Sequence, residues 1–449
     1  MIHPTPPTVK DDLPHIGAGL RFAHNPTQYL QTLRTQYGDV FLLDVFGYQL
    51  FCVFSPAALK SLYNVAEEDA SFGMATFDMM GFKTPLEIFM DADIDLFYEL
   101  LVKDRVQGYL GSFNNVLNRE LARWGDAGEL DVFDAVRTLE QRIGFDVWMG
   151  EEASSDEYWL KFKAAFDVLS QENAFVSPQA TLNTLISDKS AEREALAKLH
   201  DLINEIVDQR QSKQHWPDDT LTFLYQRFLS EDEQVTRRKL THNLVNANQG
   251  FLSNLYAAIA WVLINAARYP EHGQRMLKEI TSTREQYGFD FCSQQEALDS
   301  MTFCEQMLME STRIAQRSLT LRKVMRDVEF DCGDVSYALP PGVYIATMLS
   351  VTNTQTDDLA VFNPDRYQGR RLNPENTPQG RETISTFGHG KHACPAQKFS
   401  HNMCKVVLST LLQRYTFSDP GGDLEPSAQQ MGGVSRTADA ALLRYQLKP

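Results

Sequence analysis

From about position 100 to position 214 the chain repeats one pattern, apolar residues three and four apart with polar residues between them. It predicts helices over Leu100 to Leu117, Val132 to Met149, Tyr158 to Asn173 and Ala191 to Gln214, and a shorter one near Pro26 to Tyr37. Elsewhere the pattern is different. "DVFLLDVFG" and "QLFCVFS" are β-branched and aromatic runs that meet at Gly47 and Tyr48, which predicts a hairpin. After about Ser318 short strand-like runs, "LTLRKV", "DVEF" and "GVYIAT", are broken by "LPPG" and "NPD". A helix returns at Ala396 to Arg414, and the chain closes on Gly-rich turns and a strand, "ALLRYQL". No internal repeat or low-complexity linker divides it. The expectation is a mainly α protein with a small β portion (α+β) in one large domain, 1–449, β-rich over about residues 1–60.

One stretch lacks the charged face of the other helices. "LTHNLVNANQGFLSNLYAAIAWVLINAA", between Lys239 and Arg268, contains no Asp, Glu, Lys or Arg; as a single helix it would run about 40 Å. A membrane span is one reading. However, Asn243, Asn246, Gln249, Gly250, Ser253 and Asn254 recur at intervals of three to four and form a polar and small stripe. Amides are costly in lipid, so a helix buried in protein and presenting this stripe to a cavity is expected.

Composition narrows the class. The 449 residues are 43% hydrophobic, enough for a large core. Six cysteines without a CxxC pair argue against a disulfide scaffold and fit a reduced compartment. The net charge of −17 disfavours nucleic-acid binding. "MIHPTPPTVKDDLPHIGAGL" has prolines and charges where a signal peptide needs an apolar run. The protein is expected to be soluble, cytoplasmic, monomeric and without a transmembrane anchor.

Candidate chemistry centres on "FGHGKHACPAQKF", Phe387 to Phe399. If Cys394 is a metal ligand, Gly388 and Gly390 permit backbone conformations closed to other residues and a close approach to a flat ligand. Pro395 suits the first turn of a helix, whose apolar positions Phe399, Met403, Val406, Val407 and Leu411 share one face. A thiolate at such a helix start is favoured by the positive helix end and nearby N–H groups. The other readings of Cys394 are a buried small hydrophobe and a disulfide partner.

Upstream, "CEQMLMESTRIAQ" places Glu310 and Arg313 three apart on one helix face. Glu-x-x-Arg alone is an ordinary ion pair. Apolar Met307, Leu308 and Ile314 around it favour burial, and Arg366 in "NPDRY" is an available third member.

In order, a long uncharged helix, Glu-x-x-Arg, Pro-x-Arg-Tyr and Phe-x-x-Gly-x-x-x-Cys-x-Ala resemble the haem-thiolate enzymes of the cytochrome P450 family over nearly the whole chain. Phe387, Gly390, Cys394 and Ala396 fall in that family's haem-binding loop, with Ala396 where glycine is more usual. The resemblance implies a cytochrome P450 fold and haem b (iron protoporphyrin IX) with Cys394 as the proximal iron ligand. It places His392 and Arg322 on the haem propionates and Gly250 where the distal helix approaches the haem. Glu310, Arg313 and Arg366 become the ion network that holds the proximal loop. Lys103 stands for the basic residue of an earlier helix, a surface lysine being the alternative. A cysteine thiolate pushes electron density onto haem iron, which favours O–O cleavage.

The distal helix departs from the family. Where an acid and a threonine are usual, the spacing to Trp261 and "RYPE" puts Ser253 and Asn254. Asn254 can order a water relay. Asn246, four residues before Gly250, resembles the Asn-x-x-Gly-Gly segment of the allene-oxide-synthase-like branch, although Gln249 replaces its first glycine. Asn246, Gln249, Ser253 and Asn254 are therefore the catalytic candidates, with amides that merely satisfy one another as the alternative.

The leading expectation is a monooxygenase acting on a hydrophobic small molecule (sterol, terpenoid or fatty-acid-like) with dioxygen. Electrons would come from a separate ferredoxin or flavodoxin-type donor. From Arg366 to Lys405 seven Lys or Arg stand against two Asp or Glu, a patch suited to an acidic partner or, equally, internal ion pairs. The alternative is a hydroperoxide or endoperoxide isomerase or dehydratase of allene-oxide-synthase or prostacyclin-synthase type, needing no reductase. Loop-like pocket segments are expected at Ser71 to Asp93, Phe175 to Leu185, Val351 and its neighbours, and Met431 to Val434, with Phe72, Phe77, Met79, Met80 and Phe82 as apolar lining or ordinary core.

Overall fold

The computed structural model describes residues 4–10, 13, 15–80, 83–170, 186–369, 380–418, 421, 422 and 424–449. Helices dominate, and several follow the sequence pattern to the residue. Pro26–Tyr37 starts where the Asn25 side chain accepts the Gln28 N–H and ends at Gly38. Val132–Met149 is capped by Asp131 and stopped by Gly150. A polar cap and a terminal glycine bound both helices.

The described strands are short: β1 (Val40–Val45), β2 (Tyr48–Val53), β3 (Ala70–Ser71), β4 (Ala127–Asp131), β5 (Leu319–Val324), β6 (Val328–Asp331), β7 (Ser336–Leu339), β8 (Tyr344–Met348), β9 (Tyr415–Phe417) and β10 (Leu442–Leu447). The main sheet runs β1-β2-β8-β5-β3, with β2 parallel to β8 and the other pairs antiparallel. Phe46 and Gly47, both at positive φ, turn β1 into β2. This sheet packs on the N-terminal helices, burying Phe41, Leu43 and Leu50 against Leu321 and Met348. It thereby brings Arg322 on β5 to the edge of the helical body.

Three expectations need correction. The helix predicted from Leu100 begins at Lys103 and extends to Leu121, after a separate helix Ile94–Leu100. The segment Ser71 to Asp93, read as loop, contains helices Phe72–Asp78 and Leu86–Met90. The uncharged stretch is not one helix but two, Glu233–Phe251 and Leu255–Arg268, which we term the distal helix and its continuation.

The break falls at Leu252 to Asn254. There Ser253 Oγ donates to the Gly250 carbonyl and Asn254 leaves helical geometry at φ −137°. Side-chain bonds thus take over where the backbone ladder lapses. The continuation is buried from Leu255 to Asn265 and packs against Val132–Met149 and Thr302–Ala315. Its apolar length is explained by this core position.

Candidate active site

Cys394 lies in a turn just before the helix Gln397–Arg414, whose apolar face, Phe399, Met403, Val406, Val407 and Leu411, is buried. The loop is folded back on itself by the Cys394 N–H, which donates to the Phe387 carbonyl at 2.6 Å. Gly388 (φ +72°) passes so close to the His392 carbonyl that a Cβ would collide with it. Gly390 (φ +58°) lies against the end of the helix Pro56–Asn64, where a Cβ would stand 2.8 Å from the Tyr63 carbonyl oxygen. Both glycines are required by conformation and by space. Burial pushes the Cys394 thiol pKa up; the Ala396 N–H, which favours the thiolate, only partly offsets it.

Behind the loop, Glu310 and Arg313 form a two-pronged pair, both fully buried: Nε to Oε2 and Nη2 to Oε1 are each 2.7 Å. Burial lowers the Arg313 pKa, but Glu310 outweighs it and the net shift is upward. Arg366 Nε stands 3.7 Å from Glu310 Oε1 and its Nη1 reaches Asp358 at 2.5 Å. Arg313 also donates to the carbonyls of Asn353, Leu359 and Val361. Such saturation is what a buried ion pair needs.

Arg322 is in the opposite condition. It is 1% exposed, and no acidic oxygen lies within ion-pair reach of it among the described residues. Its Nη1 donates to the Leu321 carbonyl at 2.6 Å, whereas Nε is buried without a partner. Burial pulls its pKa down to about 10. Its guanidinium lies 5.2 Å from the Phe72 ring centre, and the same ring is 6.4 Å from that of His392. Burial, then Arg322, lowers the His392 pKa, and its Nε2 is also buried and unpartnered. Two orphaned donors share one locality. Lys103 stands exposed on the first turn of its helix, and no contact joins it to this cluster.

The distal wall is marked by exposure inside a buried element. Leu244, Val245, Ala247, Asn248 and Phe251 are buried, while Gly250, Ser253 and Asn254 are open and Asn246 and Gln249 half-open. Nothing would lie within 4 Å of a Cβ on Gly250. Asn254 Nδ2 donates to Ser253 Oγ, and its Oδ1 accepts the Val434 N–H at 2.9 Å. Asn254 therefore ties the helix break to the C-terminal hairpin. Gln249 Oε1 accepts from Thr84 Oγ1 at 2.5 Å while Nε2 is buried and unpartnered. Asn243, in the predicted stripe, instead holds the backbone of Asp91 and Asp93.

A sequence model of the family described as Cytochrome P450 matches residues 126–444. The chain belongs to the cytochrome P450 family. It is 27% identical to cytochrome P450 monooxygenase 103 of Postia placenta over 244 residues, 52% of this chain and 47% of that protein. It is 21% identical to lanosterol 14-alpha demethylase of Mus musculus over 434 residues, 92% of this chain and 82% of that one. The chain thus spans about half the length of the first relative and most of the second. Among solved structures, the retinoic acid bound cyanobacterial CYP120A1 superposes with a TM-score of 0.73 at 19% identity, covering all of both chains, which shows a shared fold.

Cytochrome P450 membership implies a haem, and the residues present fit one. A buried cation without a counter-ion is costly, and Arg322 with His392 supplies donors that a porphyrin carboxylate would satisfy. The glycine-pinched loop and the open Gly250 leave protein bulk off a flat group.

Sequence reasoning missed the residue that links the P450 ion network to the cysteine loop. Asn353, fully buried, donates to the carbonyls of Arg313 and Ser385 and accepts the Ser385 N–H. Nothing in "VTNTQ" singles it out. Two pocket expectations change: Val351 is buried in the short helix Leu349–Thr352 within the sheet core, and Met79 and Met80 pack on the same core. Phe82 and Phe175 to Leu185 lie outside the described residues. The basic patch is thinner than its count. Arg366 and Lys405 are buried, Lys398 pairs with Asp299 and Arg381 with Glu382, and Arg370 and Arg371 lie outside the described residues.

Proposed function

We propose that this cytochrome P450 is a haem-thiolate monooxygenase that inserts one oxygen atom of dioxygen into an apolar small molecule. Haem b is the expected cofactor, with Cys394 as the iron ligand and Arg322 and His392 on its carboxylates. When bound, such a haem supplies dioxygen activation, and the thiolate favours O–O cleavage. The observation that carries the reading is Arg322, a fully buried guanidinium with an unpartnered Nε beside an equally unpartnered His392 Nε2.

The chain's own groups then have distinct tasks. Phe387, Gly388 and Gly390 fix the loop that presents the Cys394 sulfur, and the Ala396 N–H helps hold it as thiolate. Glu310, Arg313 and Arg366 keep the loop's support rigid. Gly250 keeps bulk away from the site where oxygen and substrate meet. Ser253 and Asn254 shape the distal break, Asn254 by positioning the Val434 hairpin rather than as a free relay group. The relatives' names, a lanosterol demethylase and a retinoic acid complex, support a sterol, terpenoid or fatty-acid-like substrate. A cytoplasmic setting and a ferredoxin or flavodoxin-type donor remain part of this proposal.

Titration with lanosterol, retinoic acid and C12 to C18 fatty acids tests it. Ligands that displace axial water shift the Soret band, and a true substrate is then oxidised only with NADPH, donor protein and oxygen. Conversion that is equally fast without reductant contradicts the reading. One observation favours a second reading: the half-open Asn246 side chain makes no hydrogen bond among the described residues, as befits a group that binds a hydroperoxide. Rapid loss of the diene absorbance of a fatty-acid hydroperoxide, with no reductant present, would select that isomerase instead.

A further inference from the structure

Dioxygen chemistry of this kind needs protons on the distal side, yet no acid stands on the open stretch of the distal helix. Asn246 and Gln249 share one face of the distal helix, which continues N-terminally to His242 and Arg238, and Ser253 follows in the break after the helix. At 3.6 residues per turn the four helical residues fall within about 80° of arc. Leu240, Thr241, Leu244, Val245, Ala247 and Asn248 beside them are buried. A polar track therefore runs along a helix that is otherwise core.

Its outer end reaches solvent. Arg238 and His242 line a groove of about 610 Å³ between the helices Leu86–Met90, Ser190–Lys213 and the distal helix. His242 Nδ1 is 2.8 Å from Asp91 Oδ2, which also accepts from Arg238 Nε at 2.9 Å. A carboxylate on Nδ1 fixes the tautomer with its proton there. His242 Nε2 makes no protein hydrogen bond among the described residues and is left to exchange protons. Burial lowers the ring's pKa and Asp91 opposes that. The other charged or titratable groups facing it are Arg238 on its own helix, Glu87 beside Asp91, and Arg193, His200 and Asp201 across the groove.

The inner end is the half-open to open stretch from Asn246 to Asn254. Asn246 is one turn beyond His242, and its side chain makes no hydrogen bond among the described residues. Gln249 follows with its buried, free Nε2, and Ser253 Oγ sits on the Gly250 carbonyl. Successive groups are about 4.5–6 Å apart along the axis, a gap that one bridging water spans.

We propose that His242, held by Asp91, is the inlet of a proton track along this face. The inference rests on the monooxygenase reading, in which each turnover takes up dioxygen, two electrons from a one-electron donor protein and two protons. One oxygen atom enters a substrate C–H bond and the other leaves as water. His242 Nε2 gives a proton to the first water of the track and regains one from groove water, ending unchanged, while Asp91 offsets the charge of the doubly protonated ring. A histidine–aspartate pair at the rim thus serves where an acid inside the cavity is lacking.

The test compares wild type, His242→Gln and Asn246→Leu as haem-loaded proteins with a ferredoxin, its reductase, NADPH and air, no substrate added, in H2O and D2O. The readout is the share of NADPH electrons released as hydrogen peroxide rather than water. Both variants are expected to raise that share about twofold or more, general acid assistance being worth more than this, with a changed solvent isotope effect and an unchanged Soret band. Variants that divide electrons as wild type does, with the same isotope effect, overturn the track; a merely structural role would lower the thermal midpoint without moving the division. Should His242→Gln lose haem, Asn246→Leu decides alone, since the Asn246 side chain makes no hydrogen bond among the described residues. A wild type that takes no electrons from any donor refutes the monooxygenase reading itself, and the track with it.

Discussion

Asn353 and Ser385 are bonded in both directions: Asn353 Nδ2 donates to the Ser385 carbonyl at 2.9 Å and its Oδ1 accepts the Ser385 N–H at 2.8 Å. Ser385 is two residues before Phe387, and Asn353 also holds the Arg313 carbonyl at 3.1 Å. One fully buried amide thereby couples the ion network to the cysteine loop. Asn353→Leu would leave several buried groups unpaired at about 1–3 kcal/mol each. A loss of roughly 2–4 kcal/mol in urea unfolding is expected, with reduced haem content in the purified protein. Unchanged stability and haem content would remove Asn353 from the account.

The two loop glycines should differ from glycines that merely turn the chain. Gly388 and Gly390 combine positive φ with backbone collisions for any Cβ, whereas Gly342 has φ +91° and open space around it. Gly342→Ala should cost about 1–3 kcal/mol through backbone strain alone. Gly388→Ala and Gly390→Ala should cost more and lower the fraction of protein that holds haem. Equal effects at all three positions, by haem absorbance per protein, would contradict the argument.

Arg322 gives a prediction with opposite signs. A buried, unpaired cation destabilises the haem-free protein. Arg322→Met is therefore expected to leave the thermal midpoint of the haem-free protein unchanged or higher, while weakening haem retention by about tenfold or more, a loss of roughly 1.4 kcal/mol. A variant that retains haem as tightly as wild type would assign Arg322 to some other partner.

Glu305 should shape the acid limb of stability. Burial alone would raise its carboxyl, but His401 and Lys405 overcome burial and hold it far below the usual carboxylate range. Its contribution is therefore fully present above the unfolded value of about 4.3 and lost as pH falls from there toward the depressed folded value. The thermal-midpoint gap between wild type and Glu305→Gln should shrink as pH falls below about 4. A gap that widens between about pH 4 and about pH 2 would contradict this pairing.

What the sequence made legible were elements with regular apolar spacing and motifs with fixed offsets. The helices Pro26–Tyr37 and Val132–Met149 follow their apolar spacing, and β5 is the run "LTLRKV". Glu310 and Arg313 meet because three residues on a helix always do. Features that depend on distant residues were not readable. The break at Leu252 to Asn254 carries no proline and owes its form partly to Val434, 180 positions away. The Thr84 bond to Gln249 spans 165 positions. Asn353 looked like any turn residue, and Met79 and Met80 of the Ser71 to Asp93 segment pack on the sheet core.

The proposed bond from the Cys394 sulfur to haem iron predicts a distinctive carbon monoxide difference spectrum for the reduced protein. Wild type should show the strongly red-shifted Soret band of a thiolate-ligated haem, and Cys394→Ser should lose that band or the haem itself. A variant whose reduced carbon monoxide spectrum is indistinguishable from wild type would contradict the assignment.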